Sequence, residues 1–486
     1  MRLPEKISPG AVLALLTAVW LLPGVFFCIM GSGDETRVAG IAAEMVLENE
    51  WIVPRLNGSP FLEYPPMYYW WCGLFLRLFG LSEYAAALAS VLAAAGTVWL
   101  VWKTALRLGA SPVMAAAAGF FLLGSAQFLA ESNTVRVDIL LAFFVTLAYC
   151  GFFGLVRPGA AAPGRGPAVR DMFLLALGVC GGVMTKGLVG AVLPAVGMGF
   201  YLVLDDVFAR QWRWRRYLAV GAAFMAAMIP VVLWCFLLYR GQGSEAVHAV
   251  AVVNNFGRFS GSQGDHASPI YEYLLKLPAM FQPFLVLVFA GLWCLGRRVW
   301  RMRDPRALAV LTYLLLPYLV LTLASAKRMV YMLPLAPAAA LAAAAGGAYL
   351  LTVFPRLGSA AAKVKPRVLL AVLILAGIVV QTGMVLARRH HASRDSVKAF
   401  WAEVETVSRR EDRAVVLINA QERTRGAAVF YLGHTVAVRG RSAPPSGRRE
   451  LYILRKRRRD ESSNGDWHRM FRMPEDATQF RAAMSR

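Results

Sequence analysis

Residues 31–66 read GSGDETRVAGIAAEMVLENEWIVPRLNGSPFLEYPP, a charged stretch in a chain that is 58% hydrophobic. The stretch follows an apolar run at residues 11–30. If that run crosses a membrane, Asp34 and Glu35 lie at the water boundary, where carboxylates stay ionised and can face a substrate held in the lipid. The sequence therefore predicts that something polar is handled at this end of the first span.

Two prolines close the charged stretch. Pro65 and Pro66 stiffen the backbone and bias Tyr64 toward an extended conformation. This constraint would hold the neighbouring Glu63 carboxylate in a defined direction. With Arg37 and Glu63, the acidic pair Asp34-Glu35 forms a constellation, which favours a functional role. The alternative is that Asp34 and Glu35 only set the topology or cap a helix.

The composition is typical of a polytopic membrane protein. A chain of 486 residues with a mean hydropathy of +0.51 and repeated apolar runs does not resemble soluble multidomain proteins. The formal net charge is +23, but Lys and Arg fall mostly in short loops and in the C-terminal part, as the positive-inside rule explains. We expect membrane lipids as partners and no nucleic acid.

Apolar runs predict about eleven transmembrane helices, each needing ~20 residues. They lie at residues 11–30, 84–107, 111–130, 138–156, 171–185, 187–204, 217–238, 274–295, 307–324, 329–352 and 368–387. Residues 171–204 are too long for one span and short for two, with a turn signal at Thr185-Lys186-Gly187. The predicted fold class is an all-α polytopic membrane protein.

Loop charges favour two crossings at residues 171–204. With a cytoplasmic N-terminus and two crossings there, the inside loops carry far more Lys and Arg than the outside loops. The same topology places the C-terminus outside.

The aromatic stretch at residues 67–83 has two interpretations. It reads MYYWWCGLFLRLFGLSE and contains Arg77. Trp and Tyr favour the headgroup region, which indicates a helix on the outer membrane surface and a first outside loop over residues 31–83. The alternative is a re-entrant segment or a full span, which would upset the topology.

The pattern becomes that of a soluble protein near residue 390. We predict a transmembrane domain at residues 1–390 and a small soluble α/β domain at residues 391–486. Its predicted elements are a helix at residues 396–409, strands at 414–419 and 450–455, and a helix or strand leading into a strand at 425–439.

Polar residues at the predicted span ends gather on the outer face. Besides the first loop, these are Asp138, Lys186, Lys327, Arg328 and the loop at residues 239–273. Ionisable groups at span ends are costly unless they pair or meet a substrate, so this convergence predicts an outward-facing active site.

Each of these residues also has a simpler interpretation. Asp138 could cap its helix or pair with Arg136. Lys186 could extend its ammonium group to the interface, and the basic pair at residues 327–328 could only anchor a helix end. His266 could be an ordinary loop histidine.

Three motifs in the first loop resemble a known family: Asp34-Glu-Thr-Arg37, Trp51-Ile-Val-Pro-Arg-Leu-Asn-Gly58 and Glu63-Tyr-Pro-Pro66. Their order is similar to the first periplasmic loop of the bacterial lipid A aminoarabinose transferases, which are related to the protein O-mannosyltransferases. The likeness extends to Met184-Thr-Lys-Gly187, Asn255-Phe-Gly-Arg-Phe259 with Asp265-His266, and Ser325-Ala-Lys-Arg328 with Tyr331-Met-Leu-Pro334.

The resemblance implies a polyprenyl-phosphate-sugar-dependent glycosyltransferase of the GT-C fold. It implies a multi-pass protein of the bacterial inner membrane with a periplasmic C-terminal domain. The expected partners are a polyprenyl-phosphate-linked sugar donor and an acceptor, lipid A or another component of the envelope. The motifs are less specific for the sugar and the acceptor than they are for the family.

Charge pattern and resemblance together give the expected site residues. The residues expected to be catalytic are Asp34, Asp138 and Glu63. Those expected to bind substrate are Glu35, Arg37, Arg55, Tyr64, Lys186, Arg258, His266, Lys327, Arg328 and Tyr331. Glu63 and His266 could also hold a divalent metal, and no other cofactor is expected.

The sequence departs from the family pattern at Tyr64. The aminoarabinose members commonly show Glu-Lys-Pro-Pro, and the family's lysine helps to bind the lipid phosphate. That phosphate contact is therefore either missing in this chain or supplied by Lys186, Arg258, Lys327 or Arg328.

The expected reaction is a single inverting displacement at the sugar. The departing phosphate needs no proton if cations receive its charge. A hydroxyl acceptor needs one base, Asp34 or else Asp138. A phosphate acceptor is already ionised, and the carboxylates would then orient it or bind a sugar amine.

Two rival functions come from other classes. A transporter or flippase for a polyprenyl-linked sugar should show internal repeats and charged helices near the midplane, whereas the sequence has no repeat and places its charges at the outer boundary. A non-catalytic scaffold has no obvious use for the acidic first loop. A protein O-glycosyltransferase stays the alternative within the enzyme class.

Overall fold

A computed structural model gives the architecture of most of the chain. It describes residues 9–26, 30, 33–159, 169–254, 268–353, 383, 397–440, 450–455, 469–472 and 479–484.

Helices dominate the membrane part. Before residue 160 they are α1 (Pro9–Phe26), α2 (Gly33–Leu47), α3 (Met67–Phe79), α4 (Glu83–Arg107), α5 (Pro112–Leu123), α6 (Ala126–Glu131) and α7 (Val137–Val156). They continue with α8 (Val169–Lys186), α9 (Val189–Ala209), α10 (Trp214–His248), α11 (Glu272–Phe281), α12 (Leu285–Met302), α13 (Pro305–Leu323) and α14 (Ala336–Val353). A π-turn (Ala249–Val253) follows α10, a 3-10 turn (Met329–Leu335) precedes α14, and a short hairpin pairs β1 (Arg55–Leu56) with β2 (Ser59–Pro60).

Every predicted span within the described residues coincides with helical structure, so the polytopic helical fold class is confirmed. Six described helical segments are long and apolar enough to cross a membrane, or seven if α11 and α12 count as one bent span. α1 and α5 contain shorter apolar helices. The predicted span at residues 368–387 lies, apart from Gly383, outside the described residues.

The split of residues 171–204 into two helices is confirmed. α8 ends at Lys186 and α9 begins at Val189. Gly187 between them has a φ of +74°, a conformation that a glycine adopts without steric cost. α8 also packs along α7, and the two neighbouring helices bring the start of α7 to the end of α8.

The predicted span at residues 274–295 is broken into two helices. α11 and α12 meet at an angle of 112°. Pro278 lies in α11 and Pro283 in the break, and proline removes a helical hydrogen bond and crowds the preceding turn. At this bend the Phe284 ring packs against the Phe121 ring, with the ring centroids 4.8 Å apart.

The aromatic stretch forms α3, a helix of 13 residues. That length is below the ~20 residues that a span needs. Tyr68, Tyr69 and Cys72 are buried against the bundle, while Leu78 and Phe79 are exposed. This length excludes α3 by itself as a full span, and its interfacial position stays a prediction.

The C-terminal elements form a mixed sheet with helices. They are α15 (Val397–Glu411), β3 (Ala414–Ile418), α16 (Glu422–Leu432), β4 (Ala437–Arg439), β5 (Glu450–Arg455), β6 (Arg469–Arg472) and β7 (Gln479–Met484). The sheet order is β4-β3-β5-β7-β6. β3 is parallel to β4 and β5, whereas β7 is antiparallel to β5 and β6.

α16 lies directly on α2. A Cβ added at Gly40 would come within 2.4 Å of the Gly426 backbone, so the two helices cross at close backbone distance. Asn57 exchanges two hydrogen bonds with the Val436 backbone, at 2.7 and 2.8 Å. These contacts fix the C-terminal elements against the first loop.

Candidate active site

The charged residues meet where four elements end or begin. Asp34 and Arg37 lie in the first turns of α2, Asp138 in the first turn of α7 and Lys186 in the last turn of α8. Arg328 directly precedes the 3-10 turn. Because α7 and α8 are adjacent and run in opposite directions, residues far apart in the sequence come to one end of the bundle.

Asp34 is held between two guanidinium groups. Arg328 donates a hydrogen bond of 2.8 Å from Nη2 to Asp34 Oδ2, and Arg37 Nη2 lies 3.3 Å from Oδ1. Burial disfavours the charged carboxylate, but the bond from Arg328 and the charge of Arg37 outweigh it, and the pKa of Asp34 is below its ordinary value. Asp34 is therefore a carboxylate at neutral pH.

Arg37 joins the first loop to the C-terminal elements. Its Nη1 lies 3.2 Å from Glu63 Oε2 and donates a bond of 2.9 Å to Glu422 Oε2. Its guanidinium carbon lies 5.5 Å from the centroid of the Phe61 ring. Burial would lower the pKa of Arg37, but the charge of Glu63 and the bond to Glu422 raise it above its ordinary value.

Asp138 and Lys186 form a buried ion pair. The side chains are 7% and 8% exposed, and Lys186 Nζ donates a hydrogen bond to Asp138 Oδ1. The ammonium group also lies 4.2 Å from the centroid of the Tyr331 ring and 6.0 Å from that of Tyr64. Two charges so far from water are costly, and a buried pair is poor evidence for a purely stabilising role.

These side chains line one small cavity of about 20 Å³. The lining residues are Asp34, Arg37, Val38, Tyr64, Arg136, Val137, Asp138, Lys186, Arg328, Val330 and Tyr331. A larger cavity of about 690 Å³ shares Asp34 and Arg37 with it and is otherwise lined by residues of the C-terminal part. Asp34 and Arg37 thus line both cavities.

The structure brings together seven of the predicted site residues in the small cavity and places Glu63 beside them through Arg37. Of the four cations expected to take the place of the aminoarabinose transferases' lysine, Lys186 and Arg328 line this cavity with Tyr64. Tyr64 itself is buried, with 7% of its surface exposed. The catalytic and binding roles of these residues stay predictions.

Three other predicted residues do not line the cavity. Glu35 is buried and accepts a bond of 3.2 Å from the Val135 backbone N–H, just before α7. Arg55 donates to the Gly58 carbonyl at 3.1 Å within the hairpin. Lys327 is 5% exposed and donates to two backbone carbonyls, at 2.7 and 3.1 Å.

Arg258 and His266 lie outside the described residues. Within the described part of the chain, no group of three or more His, Cys, Asp or Glu side chains is arranged to hold a metal ion. The pairing of Glu63 with His266 around a metal stays a prediction.

Two residues at the candidate site were not among the predicted site residues. Arg136 lines the cavity and forms its ion pair with Glu131, at 3.5 Å, rather than with Asp138. Glu422 reaches Arg37 from the C-terminal part, and no sequence motif marks it. The only available signal for Arg136 was its position two residues before Asp138.

The bundle, its polar end and the α/β unit beside it define a polytopic membrane protein of the GT-C glycosyltransferase fold. The crystal structure of ArnT from Cupriavidus metallidurans bound to undecaprenyl phosphate superimposes with a TM-score of 0.75 at 18% identity, covering 98% of both chains. The archaeal oligosaccharyltransferase AglB from Archaeoglobus fulgidus matches with a TM-score of 0.52 at 14% identity, over 88% of this chain and 64% of that one.

At the level of sequence, the chain resembles the aminoarabinose transferases and the protein mannosyltransferases. The family profile for dolichyl-phosphate-mannose-protein mannosyltransferase matches residues 41–246. An undecaprenyl phosphate-alpha-4-amino-4-deoxy-L-arabinose arabinosyl transferase of Sodalis glossinidius is 29% identical over 68% of this chain and 58% of its own length. One of Pseudomonas aeruginosa is 28% identical over 62% of this chain and 52% of its own length. The chain thus spans little more than half the length of these curated relatives.

Proposed function

We propose that this protein is a membrane glycosyltransferase that moves a sugar from a polyprenyl-phosphate donor to an acceptor in the cell envelope. The most direct support is the small cavity, in which Asp34 is held ionised beside Arg328 while Lys186, Arg136 and Arg37 line the same wall. Cations clustered at a span end suit the phosphate of a lipid-linked donor.

In the proposed reaction, the acceptor oxygen attacks the anomeric carbon of the donor sugar. The bond from that carbon to the phosphate oxygen breaks, and the electron pair leaves with the polyprenyl phosphate. Lys186 and Arg328 receive the developing negative charge, so the leaving group needs no proton. Preorganised donors act in this way in oxyanion sites, where removal of one donor costs roughly 2.7–4 kcal/mol.

When the acceptor is a phosphate, Asp34 orients this acceptor and does not deprotonate it. A carboxylate whose pKa is lowered is a weak base. A phosphate acceptor at neutral pH is already an anion and needs no base. This agrees with the lowered pKa of Asp34, which makes it a weak base. The second carboxylate of the cavity, Asp138, keeps Lys186 in place through their ion pair.

We propose lipid A as the acceptor and an aminoarabinose-like pentose as the sugar. The relatives named as undecaprenyl phosphate-aminoarabinose arabinosyl transferases support the sugar and its carrier. The first-loop motifs, which resemble those of the lipid A aminoarabinose transferases, support the acceptor. The protein would work at the outer face of the bacterial inner membrane. The match to a protein mannosyltransferase profile favours protein O-glycosylation as the second candidate function.

Reconstitution tests the proposal. The purified protein in liposomes receives undecaprenyl-phosphate-linked aminoarabinose and lipid A, and the products are followed by mass spectrometry. We expect lipid A to gain the mass of the pentose and undecaprenyl phosphate to be released. Asp34→Asn should lower the rate, whereas Asp412→Asn, at an exposed position, should not. Donor movement across the bilayer without transfer would contradict the proposal and indicate a flippase.

A further inference from the structure

The short helix α6 (Ala126–Glu131) lies beside the small cavity without lining it. None of its residues is among the described residues that form the cavity wall. Gln127 and Glu131 are four positions apart, so their side chains lie on one face of the helix. Each of them contacts a segment that carries one of the cavity's cations, Arg328 or Arg136. One face of α6 therefore reaches two parts of the cavity wall from outside.

Glu131 holds the Arg136 side chain. Its Oε1 lies 3.5 Å from Arg136 Nη1, and the two side chains are 13% and 21% exposed. The Thr134 hydroxyl donates a bond of 3.0 Å to the other carboxylate oxygen, Oε2, so the carboxylate has a defined orientation toward the guanidinium group. The backbone just before Arg136 is anchored as well, because the Ser90 hydroxyl donates a bond of 2.6 Å to the Thr134 carbonyl.

The ion pair leaves a donor of Arg136 unused. Arg136 Nε is buried and has no hydrogen-bond partner among the described residues, and a buried unpaired donor is costly. The guanidinium group lines the small cavity together with Lys186 and Arg328. A planar guanidinium group can donate two bonds at once to a phosphate. A phosphate in this cavity would therefore supply the partner that Arg136 lacks in the described part of the chain.

Gln127 holds the backbone that carries Arg328. Gln127 is 4% exposed, and its Nε2 donates a bond of 2.7 Å to the Met329 carbonyl. Its Oε1 is buried and meets no partner in the described segments, which costs free energy of folding. A methionine of similar length would avoid that cost. The amide therefore suits a role in placing Arg328 better than a role in stabilising the fold.

α6 is itself held at both ends. The Ala126 N–H donates a bond of 2.9 Å to the Gln282 carbonyl, at the break between α11 and α12. Near the other end, the Ser132 N–H donates a bond of 3.0 Å to the Phe128 carbonyl, and the Phe128 side chain is fully buried. Side chains on a fixed helix keep a constant spacing, which groups that bind one ligand together require.

From these observations we infer that Gln127 and Glu131 are positioning residues that set the spacing of Arg328 and Arg136 around the phosphate of the polyprenyl-linked donor. This inference rests on the proposed function. Neither residue touches the substrate. Glu131 acts through the guanidinium group of Arg136, and Gln127 acts through the Met329 backbone.

Equilibrium binding of undecaprenyl phosphate to the full-length protein tests the role of Glu131. Glu131→Gln keeps the size of the side chain and removes its charge, and it should weaken binding about 10-fold. Glu131→Asp keeps the charge and should bind more tightly than Glu131→Gln. The matched control is Glu450→Gln in the C-terminal sheet, where a carboxylate that is 5% exposed pairs with Arg439. It should leave the affinity unchanged.

A double variant separates positioning from stabilisation. Arg136→Gln leaves the Glu131 carboxylate buried without its cation, so it should lower the midpoint of thermal unfolding and weaken binding of undecaprenyl phosphate about 10-fold. Adding Glu131→Gln should restore the midpoint and leave the binding weak, because Glu131 acts only through Arg136. Recovery of the affinity together with the midpoint would show that the pair only stabilises the fold and would overturn the inference.

Gln127→Met tests the other end of α6. It should keep or raise the midpoint of thermal unfolding, because it removes a buried unpaired acceptor, and weaken binding of undecaprenyl phosphate about 10-fold. Gln211→Met, at an exposed position in the turn between α9 and α10, is the control and should change neither value. Wild-type affinity in Gln127→Met would overturn the positioning of Arg328 by α6.

The binding assay also separates this inference from the proposed function. A wild type that binds undecaprenyl phosphate but transfers no sugar would overturn the proposed function, and the loss of affinity in the Glu131 and Gln127 variants would still support the inference. An active wild type whose variants keep normal affinity would overturn the inference alone. A wild type that does not bind undecaprenyl phosphate would overturn both.

Discussion

Asp34 illustrates how a single carboxylate depends on partners from distant parts of the chain. Arg37 is its neighbour on α2, whereas Arg328 comes from 294 positions away. The sequence predicts that Asp34, Arg37 and Arg328 share the polar end of the bundle. It does not predict their pairing, because hydropathy places residues at a boundary but not at a distance from one another.

The charge state of Asp34 leads to a prediction about pH. Its pKa is below the ordinary value in the folded protein, so its interactions stabilise the fold above about pH 4 and are lost as the pH falls through the lower pKa of the folded state. Asp34 should then cause no loss of activity between pH 8 and pH 5. We expect Arg328→Gln to raise the pKa of Asp34 and to move the acid limb of kcat/KM to higher pH.

Arg328→Lys serves as the control for this pH profile, because a lysine keeps the positive charge beside Asp34. An acid limb that stays in place in Arg328→Gln would show that Asp34 does not govern the profile. The pH dependence of kcat/KM for the donor is the measurement that decides.

Lys186 leads to a prediction about the lysine that the aminoarabinose transferases commonly carry where this chain has Tyr64. Lys186→Gln should lower kcat/KM for the donor about 100-fold, as expected when one preorganised charge at a developing anion is removed. Tyr64 lies beside Lys186 in the same cavity. The double variant Lys186→Gln with Tyr64→Lys should recover part of this loss, measured with the same donor assay.

The matched control is Lys398→Gln, since Lys398 is an exposed lysine on α15. No recovery in the double variant, together with a normal fold by thermal unfolding, would contradict the idea that positions 64 and 186 serve one phosphate.

At the scale of elements, hydrophobic length predicts helices well and their continuity poorly. α4, α7 and α13 follow directly from apolar runs, because a bilayer requires ~20 apolar residues in a row. The break between α11 and α12 depends instead on where Pro278 and Pro283 fall within such a run. The short π-turn and 3-10 turn are likewise invisible to a hydropathy average.

The crossing of α2 and α16 brings together the two sides of the larger cavity. A Cβ at Gly40 would lie 2.4 Å from Gly426, so Gly40→Ala must push α16 away from α2 at a cost of about 1–3 kcal/mol. We expect a lower midpoint of thermal unfolding and faster proteolytic release of the C-terminal part. Gly221→Ala, where an added Cβ meets nothing within 4 Å, is the control. Equal behaviour of the two variants would contradict the close crossing.

In the whole molecule, two parts of the chain that are far apart in the sequence lie side by side at the candidate site. Thr36 and Arg423 are 387 positions apart and share a hydrogen bond. The sequence predicts a small α/β domain after residue 390, because strand and helix periodicities are local. It cannot predict the docking of that domain, because docking depends on complementary surfaces such as the Gly40–Gly426 contact.

The orientation of the whole protein in the membrane is a further prediction. The positive-inside rule places the loop at residues 157–167 in the cytoplasm and the C-terminus in the periplasm. Alkaline phosphatase, which needs the periplasm to become active, should therefore be active when fused after residue 486 and inactive when fused within residues 157–167. The reverse pattern would invert the membrane orientation and place the active site on the cytoplasmic face.

Mass spectrometry of lipid A from cells tests whether the protein transfers a sugar to lipid A at the Asp34 site. Cells with the gene should contain lipid A that carries the added mass of a pentosamine, and cells without it should not. Wild-type protein should restore that mass, whereas Asp34→Asn at equal expression should lower it about 100-fold or more. An unchanged lipid A profile in the deletion strain would contradict transfer to lipid A. Full restoration by Asp34→Asn would contradict a role of Asp34 in that transfer.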